Sequence, residues 1–457
     1  MRIRISSETV RQSAKAIELP WGDIKSRMRL PRSLAGALYR TPAISQCSAT
    51  PGSTIMEKPE FLPKKILILS KLTRYEFEKR VHKGVKESQL EAILHRRGSN
   101  YNRLVAKHKQ HYTYLDTIKA ELDRVGIESR VVYRWDYNEN AVQWADCIMS
   151  AGGDGTFLMA ASKIKDRNKP VIGINTDPQG SEGYMCLMKK LPKEHFRPAL
   201  ERLLQGDFNW LFRQRIRITV TGENNGVQDS IELHDQQLNR NPSTTRWSDN
   251  PRDPGEADNS MDSHDILTPA VKRVRNNPEN ITIALPVLAL NEVFMGESLS
   301  SRVSYYEIQV NNGLMLKQKS SGLTICTGTG STSWYFNINK LTDQCVTDLL
   351  KIVQEKCKVE LPANDEDTVS DICSAFNQQL VYDPHLPKMA FSVRDPVFNG
   401  TFPPTAPRGF AERIRVKSRG YDAHLVVDGG VSYRFNDGSE AVLEVHEEDA
   451  LKTVVFR

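Results

Sequence analysis

No stretch of this 457-residue chain approaches the run of roughly 20 apolar residues that a membrane-spanning helix requires, so no segment is a candidate to cross a bilayer. Cysteine is scarce and scattered. The seven Cys, at 47, 147, 186, 326, 345, 357 and 373, form no Cys-x-x-Cys pair and no zinc-like spacing with His. That excludes a structural zinc site and a disulfide framework, and it fits a reducing interior such as cytosol or mitochondrial matrix. A net charge of +6 is too mild to imply a nucleic-acid partner. Acidic residues are missing from one region in particular. None lies between Asp23 and Glu57, and residues 1–50 hold nine Lys or Arg against three acids. Arg, Ser, Leu and Ala with few acids is the make-up of a mitochondrial transit peptide, so residues 1–60 are expected to be a transit peptide and disordered leader. All three acids precede Met28, which makes Met28 an alternative start. Histidine offers no catalytic setting either: His424 and His446 fall in strand patterns and read as structural.

What the chain does have is Ala151-Gly152-Gly153-Asp154-Gly155-Thr156-Phe157. An apolar run, Ala145–Ser150, precedes it with the texture of a buried strand, and Leu158–Ile164 follows with helical composition. Glycines at a strand-to-helix turn let the backbone approach a ligand closely and aim its N–H groups at an anion. Asp154 is itself negative and cannot bind phosphate. It suits a different task, orienting a hydroxyl nucleophile or taking its proton. The pair of features suggests phosphoryl transfer to an alcohol. The plainer alternative is a helix cap with Asp154 as the N-cap residue.

Folded sequence is expected from about Phe61. Lys65–Ser70 reads as a strand, followed by a polar, helix-prone stretch to Arg124. Arg130–Tyr133, the run before Gly152 and Pro170–Asn175 read as further strands. Strands alternating with helices indicate a parallel sheet over residues 61–210, with ligands beyond the carboxyl ends of the strands, where Asp154 and Asn175 lie. After a helix near Lys193–Gln205 the texture changes to period-two alternation and Gly-rich turns such as Asn311-Asn312-Gly313 and Asp428-Gly429-Gly430, a mainly antiparallel domain over 211–457. Two segments interrupt it: a polar stretch at 239–280 that reads as a disordered insertion, and a helical segment at 337–380. In that segment Leu341, Cys345 and Leu349, with Val346, Leu350 and Val353, fall at the spacing of a core-packed helix or a subunit contact.

Two more clusters lie in this half. Asn291-Glu292 ends an apolar run, an amide and a carboxylate able to read adenine or ribose edges. Thr327-Gly328-Thr329-Gly330-Ser331-Thr332-Ser333-Trp334 is a hydroxyl-rich loop, with Trp334 or Tyr335 available to stack on a base.

In this order, Gly-Gly-Asp-Gly, Asn-Glu and Thr-Gly-Ser-Thr resemble the NAD kinase family. Gly173–Pro178, Ser181–Gly183, Arg74–Glu78, Glu297–Arg302, Ser320–Leu323 and Val426–Gly430 look like its mitochondrial animal branch. The resemblance runs from about Pro63 to the C-terminus, the insertion excepted. It implies an α/β N-terminal domain with a parallel sheet plus an all-β C-terminal domain, the fold shared with diacylglycerol kinases, working as a homodimer in the mitochondrial matrix. It implies transfer of the γ-phosphoryl of ATP to the 2′-hydroxyl of the adenosine ribose of NAD, with Mg2+ carried in on ATP and no metal site of the protein's own; some members also use polyphosphate. By motif, Asp154 would be the catalytic carboxylate, and Gly152, Gly153, Gly155 and Thr156 would line the triphosphate. Asn291 and Glu292 would hold NAD, and Thr329, Gly330, Ser331 and Thr332, with Asn175 and Lys319, would complete the nucleotide contacts. Where many bacterial relatives read Arg-Ser-Asp-Gly, this chain has Lys319-Ser320-Ser321-Gly322. Basic residues Lys71, Arg74, Arg213 and Arg215 are candidates to offset phosphate charge. Two other readings stand beside this one. A lipid kinase would share the Gly-Gly-Asp-Gly-Thr turn but lacks the Asn-Glu and Thr-Gly-Ser-Thr pairing, and an inactive NADP(H) sensor would bind without turnover.

Overall fold

Strand β1 (Lys65–Ser70) is apolar from Ile66 through Leu69 because both of its faces are covered. Ile66 and Ile68 enter one core cluster, Leu67 and Leu69 another on the opposite face. These assignments come from a computed structural model that describes residues 59–223, 230–233 and 280–457. The leader expected over 1–60 and the insertion expected over 239–280 lie outside the described residues but for their last positions.

The polar stretch after β1 forms three helices, α1 (Arg74–Val81), α2 (Glu87–Arg96) and α3 (Tyr101–Arg124). Strands β2 (Glu128–Val132), β3 (Cys147–Ala151) and β4 (Val171–Ile174) join β1 in parallel, in the order β2-β1-β3-β4. β2 starts earlier than its apolar residues suggest, because the ladder extends to Lys65 opposite Glu128 and an edge strand tolerates the polar Glu128 and Ser129. The remaining helices of this half are α4 (Glu139–Trp144), α5 (Asp154–Ser162) and α6 (Phe196–Leu204). Leu115, Ile118 and Leu122 of α3 and Leu200 and Leu203 of α6 cover one face of the sheet, and Phe157, Ala160 and Ala161 of α5 cover the other.

The second half is a sandwich of two antiparallel sheets. One runs from the edge strand Leu316–Ser320 through Ser304–Val310, Arg413–Ser418, Glu440–Val445 and Ile216–Glu223 to Asn280–Ala284. The other runs Arg408–Ala411, Met389–Val393, Leu323–Cys326, Glu292–Glu297, Ala423–Val427, Val431–Arg434, Ser230–Glu232. Their facing sides bury Ile218, Ile308 and Val416 against Met295, Ile325 and Leu425. The last strand, Leu451–Phe456, leaves the sandwich and pairs with Phe208–Arg213, carrying Val454 and Phe456 into the core of the α/β half.

The expected helical segment is α7 (Trp334–Asn339), α8 (Asp343–Cys357) and α9 (Glu366–Gln378). In α8 one stripe packs, Val346 and Leu350 against Val369 and Cys373. The other departs from a core-packed face: Cys345 is exposed and Leu349 is 55% exposed.

One buried polar contact fixes the carboxyl ends of the parallel strands. His111 of α3 bridges Ser70 Oγ at the end of β1 and Thr176 Oγ1 just past β4, each at 2.9 Å. Burial first, then nearby Lys71, push this imidazole from 6.5 down to about 3. The unfolded chain therefore binds a proton that the folded one refuses between those values, and stability falls as pH drops below about 6.5. Chemical denaturation across this range should show a shallower pH slope for His111→Gln, by up to about 1.4 kcal/mol per pH unit, since Gln keeps both hydroxyl contacts without titrating.

Candidate active site

The turn between β3 and α5 is built by close packing. A Cβ on Gly152 would collide with the Thr156 side chain and press on Lys71 Cβ at 3.1 Å, and one on Gly153 would collide with Ser181. Gly153, not Asp154, is the N-cap of α5, and no side chain caps it. The capping alternative is thus removed. The Asp154 carboxylate instead accepts hydrogen bonds from the backbone N–H groups of Tyr184 (3.1 Å) and Met185 (2.8 Å). The loop that supplies them is held by Asn175, whose buried amide donates to Ser181 O and Lys189 O at 3.2 and 2.7 Å.

The Asn-Glu pair sits where the two halves meet. Leu290 is buried in the α5 face of the α/β core, and Glu292 begins a sandwich strand. Between them the backbone is pinned by Asp428, whose carboxylate accepts from Leu290 N, Asn291 N and Glu292 N at 2.8, 2.8 and 3.0 Å. Burial pushes Asp428 up to about 6 against the pull of those three donors and of Arg215. Burial pushes Glu292 further, to about 8, with the neighbouring Asp428 charge adding to it. Asn291 Oδ1 and Glu292 Oε2 are buried and have no hydrogen-bond partner within the protein, the state of groups awaiting a ligand.

The Thr329 loop packs directly on this pair. Thr327 N donates to Asn291 O at 2.9 Å, Asn291 Nδ2 donates to Ser333 Oγ at 3.1 Å, and a Cβ on Gly330 would collide with the Asn291 carbonyl. Ser331 is fully buried, its hydroxyl donating to Gly328 O and accepting from Tyr382 N, while Thr332 Oγ1 donates to Thr329 O. Thr329 Oγ1 accepts from the buried guanidinium of Arg213 at 3.2 Å. Burial lowers Arg213 to about 10, still cationic at neutral pH, and the charge of Asp154 is the main influence opposing that shift. Arg213 thus feels the charge of Asp154 while its hydrogen bond goes to the Thr329 loop, which packs on Asn291. A carboxylate, a buried cation and unpartnered ribose-type acceptors around one glycine turn can position an alcohol for phosphoryl transfer.

Comparison with known proteins points the same way. The ATP-NAD kinase N-terminal domain matches residues 72–208. The NAD kinase 2, mitochondrial, of Homo sapiens is 43% identical over 399 residues, 87% of this chain and 85% of the relative. The one from Xenopus tropicalis is 40% identical over 449 residues, 94% and 99% of the two chains. This chain belongs to the NAD kinase family. Its activity is that of an NAD kinase, and its fold, a parallel α/β half followed by an antiparallel half, is the one expected of the family.

Not every residue expected at the kinase's site is gathered there. Gly152, Gly153, Asp154, Gly155 and Thr156 form the turn into α5, and Thr329–Thr332 belong to the loop that packs on Asn291, beside Glu292. Asn175 is one step removed and shapes the loop behind Asp154. Lys319 lies on the edge strand Leu316–Ser320 with its ammonium 5.8 Å from the Tyr305 ring, and its contacts do not reach the Asp154 set. Tyr335 is buried in a small cluster with Cys326 and Leu380, leaving Trp334, tilted on Phe294 at 4.9 Å, as the exposed aromatic. Arg215 departs from its expected role: it is fully buried and donates to Ile164 O and Ala161 O at the C-terminal end of α5. Asp428 was legible only as a turn residue, because its partners are more than 130 residues away.

The raised Glu292 carboxyl makes a signed prediction for this kinase. The folded state retains a proton that the unfolded chain releases between 4.5 and about 8, so stability declines as pH rises through that window. Glu292→Gln should raise the melting temperature more at about pH 8.5 than at about pH 5 while weakening NAD binding. Gly330→Ala should lower stability by about 1–3 kcal/mol in denaturant titration, because the clash is with backbone that Asp428 prevents from moving.

Proposed function

We infer that Asp154 is the catalytic carboxylate of this NAD kinase. It orients the 2′-hydroxyl of the adenosine ribose of NAD and takes its proton as the oxygen bonds to the γ-phosphorus of ATP, while the β–γ bridging bond breaks to leave ADP. The observation that carries this reading is the fixed position of Asp154: two backbone N–H groups hold its carboxylate at the carboxyl end of the parallel sheet. Asn291 and Glu292 hold the adenosine ribose through their unpartnered oxygens. Gly152, Gly153, Gly155 and Thr156 line the triphosphate, and Thr329–Thr332 frame the nucleotides. Residues 61–210 and 211–457 act as the two domains between which the substrates lie.

Among the described residues no group of three or more His, Cys, Asp or Glu is placed to hold a metal ion. The proposed magnesium ion would arrive on ATP, with Asp154 the carboxylate beside it. Bound there, Mg2+ supplies charge neutralisation for the phosphates. Chain residues do the rest: they align the ribose, keep its hydroxyl against Asp154 and exclude water.

A mitochondrial matrix location is supported by the basic leader, free of acids between Asp23 and Glu57, and by the names of the animal relatives. A homodimer and polyphosphate as a second donor follow from the family resemblance alone. Sizing of the purified protein and fractionation of cells test the first two.

NADP formation by the full-length chain, given NAD, ATP and Mg2+, is the deciding assay. Asp154→Asn should fold with an unchanged melting temperature, bind NAD, and lose about 10² to 10⁴ in kcat. Turnover near that of the parent would reject the role of Asp154.

A further inference from the structure

A second cleft adjoins the glycine turn on the α3 side. Its volume is about 540 Å³, and Lys71, Arg74, Arg103, Lys107 and Asp177 supply its charge. Lys71 ties it to the turn, since its N–H donates to Ala151 O at 3.0 Å and its Cβ abuts Gly152. Four cations face one acid. Lys107 and Lys71 share that acid, at 3.0 and 3.9 Å from Asp177, while Arg74 is paired outward with Glu78. Arg103 has no acidic partner among the described residues. Lys71 is largely buried, and burial pulls its ammonium below the ordinary lysine value. A buried ammonium with half a counter-charge is unfavourable unless a second anion joins it. The N-terminal ends of α1 and of the 24-residue α3 line the same cleft through Thr73 and Asn100, and their dipoles add to the positive field.

We propose that this cleft receives the phosphate chain of the phosphoryl donor, with Lys71 as its inner contact and Arg103 and Lys107 of α3 as its outer ones. The inference rests on the placement of phosphoryl transfer at the Asp154 turn. Charge separates the two substrates between two regions. The surroundings of Glu292 and Asp428 carry buried carboxyls and suit ribose hydroxyls, whereas a cleft in which Lys71, Lys107 and Arg103 face the single carboxylate of Asp177 suits the most highly charged group in the reaction. That group is a short polyphosphate chain, borne by a nucleotide or free. As such a chain enters, Lys71 and Lys107 exchange Asp177 for phosphate oxygens.

The test uses the full-length kinase with Arg103→Ala, Lys107→Gln and the double variant. Both side chains reach solvent, so their loss does not threaten the core. Initial rates with ATP and NAD varied separately should show KM for ATP raised about 5- to 50-fold in the double variant, with KM for NAD within about twofold of the parent. Inorganic tripolyphosphate should compete with ATP, and its inhibition should weaken by the same factor. Lys109→Ala, on α3 but outside the cleft, should behave as the parent. Offered without ATP, tripolyphosphate that yields NADP marks a cleft open to free chains. Competition without product marks one that takes the chain only on a nucleotide, and either result supports the proposal. An unchanged KM for ATP, a rise confined to KM for NAD, or tripolyphosphate inhibition not competitive with ATP would overturn it. Calorimetry of tripolyphosphate with Asp154→Asn separates the two assignments: binding there reads the cleft whether or not Asp154 proves catalytic.

Discussion

The carboxylate of Asp428 is the constraint on which the rest of the site depends. Three consecutive backbone N–H groups, from Leu290 to Glu292, end on it, so this short segment has one conformation available. Leu290 belongs to the α/β core, Asn291 supports the Thr329 loop, and Glu292 opens a sandwich strand. Release of the carboxylate would leave three donors without partners in a buried place, a penalty of about 1–3 kcal/mol each. The seam between the halves is therefore stiff at Leu290, Asn291 and Glu292.

That stiffness has an electrostatic cost that the kinase tolerates. Two carboxyl groups, Glu292 and Asp428, lie in surroundings that raise both their pKa values, and Arg215 answers only part of the charge from the side of α5. Sites where burial and like charges coincide are those where function outweighs stability. The division of charge is also spatial, acidic at the seam and basic at the ends of β1 and α3, with Asp154 and Arg213 between. A reaction that joins a neutral hydroxyl to a highly charged donor is served by that gradient.

How much of this was legible in the sequence depended on distance along the chain. The glycine turn and the Thr329 loop announced themselves because their geometry is local: a strand, a turn without side chains, a helix. The parallel order of the first four strands followed from alternation with helices. Arg213 and Asp428 were harder, because a guanidinium or a carboxylate acquires its role from partners brought by the fold. Asp428 reads as the first residue of an Asp-Gly-Gly turn, and its φ of 48° agrees, yet the same residue pins a segment far upstream. Lys319 is the reverse case: the motif around it is local, and its side chain faces Tyr305 on an edge strand. For Arg215, closeness to Arg213 in sequence hid a different setting, because it lies in the break between the strands Phe208–Arg213 and Ile216–Glu223, where strand alternation does not fix its direction.

Leu451 opposite Arg213, in the ladder that ends the chain, has a consequence for how the protein is made. The strand that presents Arg213 acquires its partner only after the whole sequence of the sandwich has been made. Until then the glycine turn can form with its sheet, but Arg213 and its bond to the Thr329 loop lack their backbone support. Contacts of such long sequence separation close late. Residues 451–456 thus serve as a latch, holding a strand of the α/β half from beyond the sequence of the whole sandwich.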